Sequence, residues 1–384
     1  MKLLFTGDIN FRHQNITCET VQQKLKYIKP YLDMADVRIA NLETPLARKE
    51  LYSPIVKSGP NLICDPSCIE FLTAARFDAV TIANNHMGDY GEQALMDTIA
   101  LLDQRGIKHT GAGKSLDEAY QAYRIEKSGV TISVLAVCEN EFGIASAQKA
   151  GTAGINLLKI AQQIKQEKEQ SEFVVIVPHG GNEHNPLPSP GVVSRYRLFC
   201  ELGADAVVAT HPHCPQGYEL YDGKPIVYSM GNFLFVSADG KPQSSPWHYG
   251  YMTMLNFQQK GQVDIEVIPY RFDPEATCIT PFEGENRDKM LVYLGKISEI
   301  IHDPQILKSY FKGWCYLHPW LPQVSKDINC WDAFIGKISD DKNLYGCEAH
   351  NEQAAEILRI INDGELEEAK LWATKVTSLQ KMPV

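Results

Sequence analysis

Short apolar runs rich in β-branched residues punctuate the first two thirds of the chain, and most stop on an acid, an amide or a histidine. Leu3-Leu4-Phe5-Thr6 ends on Gly7-Asp8-Ile9-Asn10, the run at 37–40 on Asn41-Leu42-Glu43, and Ala79-Val80-Thr81-Ile82-Ala83 on Asn84-Asn85-His86. The run at 173–177 leads to Pro178-His179-Gly180-Gly181-Asn182-Glu183-His184, and that at 206–209 to His211-Pro212-His213; another lies at 131–137. Runs of this length, apolar on both faces, read as buried parallel strands. Helical patterns fall between them, at residues 19–34, 67–76, 89–106, 156–170 and 192–202. In the third of these, Asp89 and Glu92 make a capping-box-like pair ahead of Leu95, Ile99 and Leu102, and Gly106 ends the helix. Strands alternating with helices predict an α/β fold, in which chemistry collects outside the carboxyl ends of the strands.

Later in the chain the pattern changes twice. Runs at 226–229, 252–257 and 263–268 are spaced closely enough for antiparallel pairing. Between them, residues 237–250 are rich in Ser, Pro and Gly around Trp247 and His248, which reads as a lid over a site. Residues 47–66 form an irregular loop that carries Lys57. Beyond residue 280 helical patterns dominate, such as Ala354, Ile357, Leu358 and Ile361 closed by Gly364. The chain therefore divides into residues 1–280 and a helical C-terminal appendage, residues 281–384, that packs on the core or meets a partner.

Composition narrows the function. At 384 residues, with 44% hydrophobic and 22% charged residues, the chain is long enough for a large core and ordinary for a globular protein. A net charge of -10 argues against a broad nucleic-acid surface and against binding to anionic membranes. No stretch approaches the ~20 apolar residues of a membrane span, and MKLLFTGDIN turns polar too soon for a signal peptide. The ten cysteines are scattered, and Cys64 and Cys68 have no second pair to complete a zinc set. Free thiols, no membrane anchor and a cytoplasmic location are the expectation.

The strand-end residues supply candidate chemistry. His211 and His213, one residue apart at a strand end, can face one ion, and imidazole suits Zn, Mn and Fe. His179 has the same placement; a core histidine bonded to backbone is its bland alternative. Asp8 follows Gly7 at the end of the first strand, with a plain Gly-Asp turn as its bland alternative, and Asn41 with Glu43 closes the next strand. Two cations a few ångströms apart need an anionic bridge, so Asp8 or Glu43 should span them. Asn85 offers a neutral oxygen, and His86 a proton near the metals, unless it is a further ligand or a structural donor. Asp89 is a helix cap or a partner of His86. Glu183 orients a ligand or is solvated, and His184 lies near the site without binding. Lys57, Arg12 and Arg195 are anion contacts or solvated side chains.

Taken in order, Gly7-Asp8, Asn41-Leu42-Glu43, Ala83-Asn84-Asn85-His86-x-x-Asp89-x-Gly91, His179-x-Gly181-x-Glu183 and His211-Pro212-His213-x-x-Gln216 resemble the CapA family. These are the poly-γ-glutamate capsule biosynthesis proteins of the calcineurin-like metallophosphoesterase superfamily. Tyr228-Ser229-Met230-Gly231-Asn232-Phe233 resembles the family's next strand and turn, and the likeness covers residues 1–257. It implies a four-layer αββα sandwich with two divalent metal ions (Mn, Fe or Zn) at the strand ends. By the same likeness Asp8 and Glu43 hold or bridge the metals, Asn85, His179 and His211 bind the second, and His213 binds the first. His86 would then protonate the leaving oxygen, with Asp89 beside it and Asn10, Asn41, Asn84, Lys57, Glu183 and His184 in supporting or substrate-binding places. Two departures stand out: Asn10 occupies the place of a ligand histidine, and Asn-x-Glu replaces the usual Gly-Asp at the second strand.

The reading is a metal-dependent hydrolase, in which a dinuclear site activates water against a phosphate ester or related bond, with a link to poly-γ-glutamate metabolism. Its rival is a non-catalytic accessory protein that holds an acidic peptide such as poly-γ-glutamate during capsule polymer synthesis. A third reading makes the metal site structural and the helical tail an interaction module. The expected partner is a small-molecule or acidic peptide substrate, with no nucleic acid and with a homodimer left open.

Overall fold

Period-2 alternation splits each central strand between two cores. In Lys2–Asn10, Leu3 and Phe5 join a core shared with a second sheet, while Leu4 joins one built with helices. Val37 and Ile39 against Ala40 repeat the division in Val37–Leu42. A computed structural model of the chain describes residues 1–12, 16–237, 239–258, 261–319, 343 and 346–384. Its larger sheet runs Ile279–Pro281, Val263–Phe272, Tyr249–Phe257, Lys2–Asn10, Val37–Leu42, Ala79–Thr81, Lys108–Thr110, with Asn232–Phe235 also paired to Lys2–Asn10. The second runs Tyr218–Tyr221, Lys224–Val227, Ala206–Val208, Phe173–His179, Val130–Cys138, Tyr123–Lys127.

Leu3, Phe5 and Ile39 of the first sheet share one core with Val134, Val175 and Val207 of the second. Helices Ile69–Ala74 and Gly91–Gln104 bury Phe71, Leu72, Leu95 and Leu102 on the outer face of the first sheet. Helices Leu157–Lys168 and Pro190–Glu201 bury Ile160, Ile164, Val192 and Tyr196 against the second. Helix, sheet, sheet, helix is the four-layer αββα sandwich that the sequence led us to expect.

Some elements differ from the sequence reading. The single helix expected over 19–34 is two, Cys18–Leu25 and Lys29–Leu32. Pro30 lies in the first turn of the second, where its missing N–H costs nothing. The run at 226–229 belongs to Lys224–Val227, which is parallel to Ala206–Val208 and not antiparallel to the runs after it. Its antiparallel partner is Tyr218–Tyr221, joined through Asp222-Gly223 with both residues at positive φ (50° and 74°), a hairpin turn. Tyr249–Phe257 and Val263–Phe272 are antiparallel neighbours, as their spacing suggested.

The C-terminal helices are built into the sandwich. Gly284–His302 buries Met290, Tyr293, Leu294, Ile297 and Ile301 in the core that both sheets share. Pro304–Leu317, Glu348–Asn362 and Leu366–Leu379 then close a cluster of Phe311, Trp314, Ile357, Ile360, Ala369 and Val376. Among the described residues no helix is long and apolar enough to cross a membrane, and the described cysteines are unpaired thiols.

Candidate metal centre

Gly7 sets the geometry of the first strand end. A Cβ there would lie 1.7 Å from the carbonyl oxygen of Gly231, and the pairing register with Val37–Leu42 shifts between Thr6 and Asp8. The chains approach this closely because the Asp8 N–H donates to that same carbonyl (3.2 Å). Gly7→Ala should therefore cost about 3 kcal/mol or more, as overpacking against backbone does. Urea denaturation would measure it, and an unchanged midpoint would mean that the contact relaxes freely.

Asp8 then projects into a fully buried cluster. Its carboxylate accepts from the Asn41 amide (2.8 Å) and from the backbone N–H of His211 (3.2 Å), and it lies 3.5 Å from His213 Nδ1. Glu43, at the end of the neighbouring strand, is equally buried, and neither of its carboxylate oxygens has a hydrogen-bond partner. Its Oε1 faces His179 Nε2 at 3.7 Å and His213 Nε2 at 3.5 Å. His179 is held by Thr210 Oγ1 (3.0 Å) and Asn85 Oδ1 (3.1 Å), with His211 Nδ1 3.0 Å from its Nε2. His211 and His213 have positive φ (103° and 56°), as does His184 (62°). Strain of this kind costs ~1–3 kcal/mol per residue and gathers at functional sites.

His211 and His213 group with Glu183, and two further groups, each within 4.8 Å, are Asp8, Glu43 and His213, and Glu43, His179 and His211. Glu43 is common to the latter two. Burial, then Asp8 and Glu183, pushes its carboxyl well above the usual range. Burial, then His211 and His213, pushes His179 well below the imidazole range. A carboxyl driven up beside an imidazole driven down is a donor pair whose natural complement is a cation. The Glu43 carboxylate fits that requirement, because neither of its oxygens is taken by a hydrogen bond.

A second group sits beside the first. His86 Nδ1 lies 2.7 Å from Asp89 Oδ2, and Lys57 makes a salt bridge to Asp89 Oδ1. Asp89 is thus the partner of His86 and not a cap: the helix starts at Gly91 with no side-chain cap, and the Leu62 N–H donates to the Asp89 carboxylate (2.6 Å). Glu92 turns instead to the Ala150 N–H (2.9 Å). Burial, reinforced by Lys57, lowers the His86 pKa, with Asp89 opposing. Lys57, Asn85, His86 and Glu183 line a cavity of about 400 Å³.

The remaining residues singled out from sequence have these surroundings. Asn84 accepts from the N–H groups of His86 (3.2 Å) and Met87 (2.9 Å), which fixes the loop that presents Asn85 and His86. The Asn10 amide donates to the Glu43 carbonyl (3.2 Å) and its oxygen accepts from the Arg12 N–H (2.8 Å). Arg195 is committed to Glu139 (3.0 Å). Glu183 is exposed, within reach of His211 and His213. His184 packs against Trp247 (ring centroids 5.6 Å apart) and His213 (6.3 Å). Trp247, from the stretch read as a lid, is buried 4.9 Å from the His213 ring, where it walls the site.

Several contributors escaped the sequence reading. Asn232 Oδ1 lies 2.9 Å from His213 Nδ1 and orients that ring. Glu139 and Glu141 follow the strand Val130–Cys138, and the Asn85 amide donates to Glu141 (3.1 Å). The rule applied to the other strands, an acid at the carboxyl end, would have found both. His350, Gln353 and Trp314 from the C-terminal helices line the same cavity.

Comparison with known proteins adds to this geometry. Residues 2–237 match the family described as "Bacterial capsule synthesis protein PGA_cap". The chain is 26% identical over 252 residues to "Capsule biosynthesis protein CapA" of Bacillus anthracis, covering 64% of this chain and 60% of that protein. It is 30% identical over 248 residues to "PGA biosynthesis protein CapA" of Bacillus subtilis, covering 64% and 63%. A "Probable polyglutamine synthesis accessory protein" of Mycobacterium tuberculosis is 27% identical over 255 residues, covering 62% and 66%. The match thus spans less than two thirds of the length of these relatives. Among solved structures, a hypothetical protein from Thermus thermophilus aligns at TM-score 0.45 and 15% identity over 71% of this chain and 99% of that one. A phosphatase from Mycoplasma pneumoniae aligns at 0.46 and 15% over 72% and 95%.

Proposed function

The chain belongs to the bacterial capsule synthesis protein (PGA_cap) family, and on that premise we propose that it is a metal-dependent hydrolase of a phosphate ester or related bond, linked to poly-γ-glutamate metabolism. The observation that carries this reading is the buried, partnerless Glu43 carboxylate common to two ligand groups. Asp8, Glu43 and His213 would hold one divalent cation, and Glu43, His179, His211 and Asn85 a second; Mn, Fe and Zn all suit such donors. Cations there would supply positive charge and an acidified water for attack on phosphorus.

The side chains around them have their own tasks. With Nδ1 committed to Asp89, His86 has Nε2 left for substrate. Burial lowers the His86 pKa and Asp89 opposes it, so Asp89 stabilises the imidazolium that forms when Nε2 takes a proton from solvent water and passes it to the leaving oxygen. Lys57 fixes Asp89 from the other side. Trp247 excludes water beside His213.

The relatives' names favour a second reading, an accessory protein that holds an acidic peptide such as oligo-γ-glutamate without cleaving it. Hydrolysis of an aryl phosphodiester by the full chain, with and without Mn²⁺, separates the two. Metal-dependent turnover supports the hydrolase. Metal-dependent binding of oligo-γ-glutamate, with neither it nor the diester cleaved, supports the accessory role.

A further inference from the structure

Beyond Asn85, on the side away from His179, lies a further set of ligand atoms with no part in the reading above. Glu141, Cys347 and His350 place a carboxylate oxygen, a thiol sulfur and a ring nitrogen within 4.8 Å of one another. They come from opposite ends of the fold. Glu141 follows the strand Val130–Cys138, Cys347 is the N-cap of the helix Glu348–Asn362, and His350 stands in its first turn. Cys347 and His350 are three apart, so they share one face of that turn.

Among the described residues, acids crowd the Cys347 thiol. Its single S–H is shared between Glu139 Oε2 (3.4 Å) and Glu141 Oε1 (3.5 Å). Glu139 has a counter-charge in Arg195 (3.0 Å). Glu141, also buried, receives only the neutral Asn85 amide (3.1 Å) besides that thiol in the hydrogen bonds of the described residues. Two carboxylates and a sulfur converging on one proton leave room for a cation between them.

The surroundings are also built. The His350 ring is hydrogen-bonded to the backbone of Asn343, the kind of outer contact that fixes a ligand imidazole. The helix is anchored on the same strand end, where Glu348 accepts from the Asn140 amide (2.6 Å) and backbone N–H (3.1 Å). Glu352 accepts from the Gly191 N–H (2.6 Å) on the other side. Glu141 and His350 both line the cavity that holds His86.

We propose that Glu141, Cys347 and His350 form a zinc-binding site, separate from the Glu43 centre, that staples the C-terminal helices over the cavity. A thiolate, an imidazole and a carboxylate suit Zn²⁺ better than Mn²⁺. On binding, the Cys347 S–H bond breaks, sulfur keeps the electron pair and donates it to zinc, and the proton leaves to solvent. Three protein ligands leave the fourth position of a tetrahedral ion to water or to a substrate group. The assignment does not depend on the Glu43 centre, whose donors are oxygen and nitrogen only.

That difference supplies the test. The full chain, stripped of metal, is titrated with Co²⁺ as a spectroscopic substitute for zinc. A near-ultraviolet thiolate-to-cobalt band is expected, bleached by added Zn²⁺, abolished in Cys347→Ser and requiring at least tenfold more cobalt in His350→Gln. Cobalt held only by oxygen and nitrogen gives no such band, so failure of the Glu43 centre would leave this signal intact. A protein that binds cobalt without the band would overturn the proposal, as would a band that persists in Cys347→Ser. Should Cys347→Ser fail to fold, His350→Gln carries the same test: a band forming at unchanged cobalt concentration would remove His350 from the site.

Discussion

His86→Ala is expected to lower turnover at least ~100-fold, the usual scale for a positioned proton donor, while metal content stays at the wild-type value. The ring belongs to neither group of ligand atoms that contains Glu43. Its Nδ1 is bound to Asp89 at 2.7 Å, and its backbone is held by Asn84, so removal should disturb neither the loop nor the cations. Asp89→Asn should mimic part of the loss, because a neutral amide no longer stabilises the imidazolium. Steady-state rates on an aryl phosphodiester, read beside elemental analysis, decide the matter. A wild-type rate in His86→Ala would take the proton role away from this residue.

Deleting residues 284–384 is expected to abolish soluble folding. The helix Gly284–His302 contributes Met290, Tyr293, Leu294, Ile297 and Ile301 to the core shared by both sheets. Each buried side chain of this size is worth ~1.5–3 kcal/mol, so their loss rivals the whole ~5–15 kcal/mol that holds a domain folded. The deletion also bares the sheet surface they cover, which favours aggregation. Expression with soluble and insoluble fractions compared gives the answer. A soluble, cooperatively unfolding 1–283 fragment would show that the sandwich stands without these helices.

Much of the site was legible because a single pattern repeats. Asp8, Glu43, Asn85, His179, His211 and His213 each lie at the carboxyl end of an apolar run, and parallel pairing brings those ends to one edge of the sandwich. The failures share a cause as well. Asp89 and Glu92 have the spacing of a cap, yet tertiary partners, His86 with Lys57 and Ala150, claimed both carboxylates. Asp222-Gly223 is a hairpin signal in its own right, and it pairs Lys224–Val227 with Tyr218–Tyr221 and not with the apolar runs that follow. Cys347 and His350 lie far along the chain in a helical stretch, and only folding sets them beside Glu141. Nothing local in that segment records the contact.

The central claim is that Glu43 serves two cations at once, and the direct measurement is manganese per chain in wild type and in Glu43→Ala. Manganese prefers oxygen and nitrogen donors and avoids the thiolate of Cys347, which keeps the count specific to this centre. Two equivalents in wild type, falling below one in Glu43→Ala with the fold intact by circular dichroism, is the expected result. Two equivalents retained by Glu43→Ala, or none bound by the wild-type chain, would contradict it.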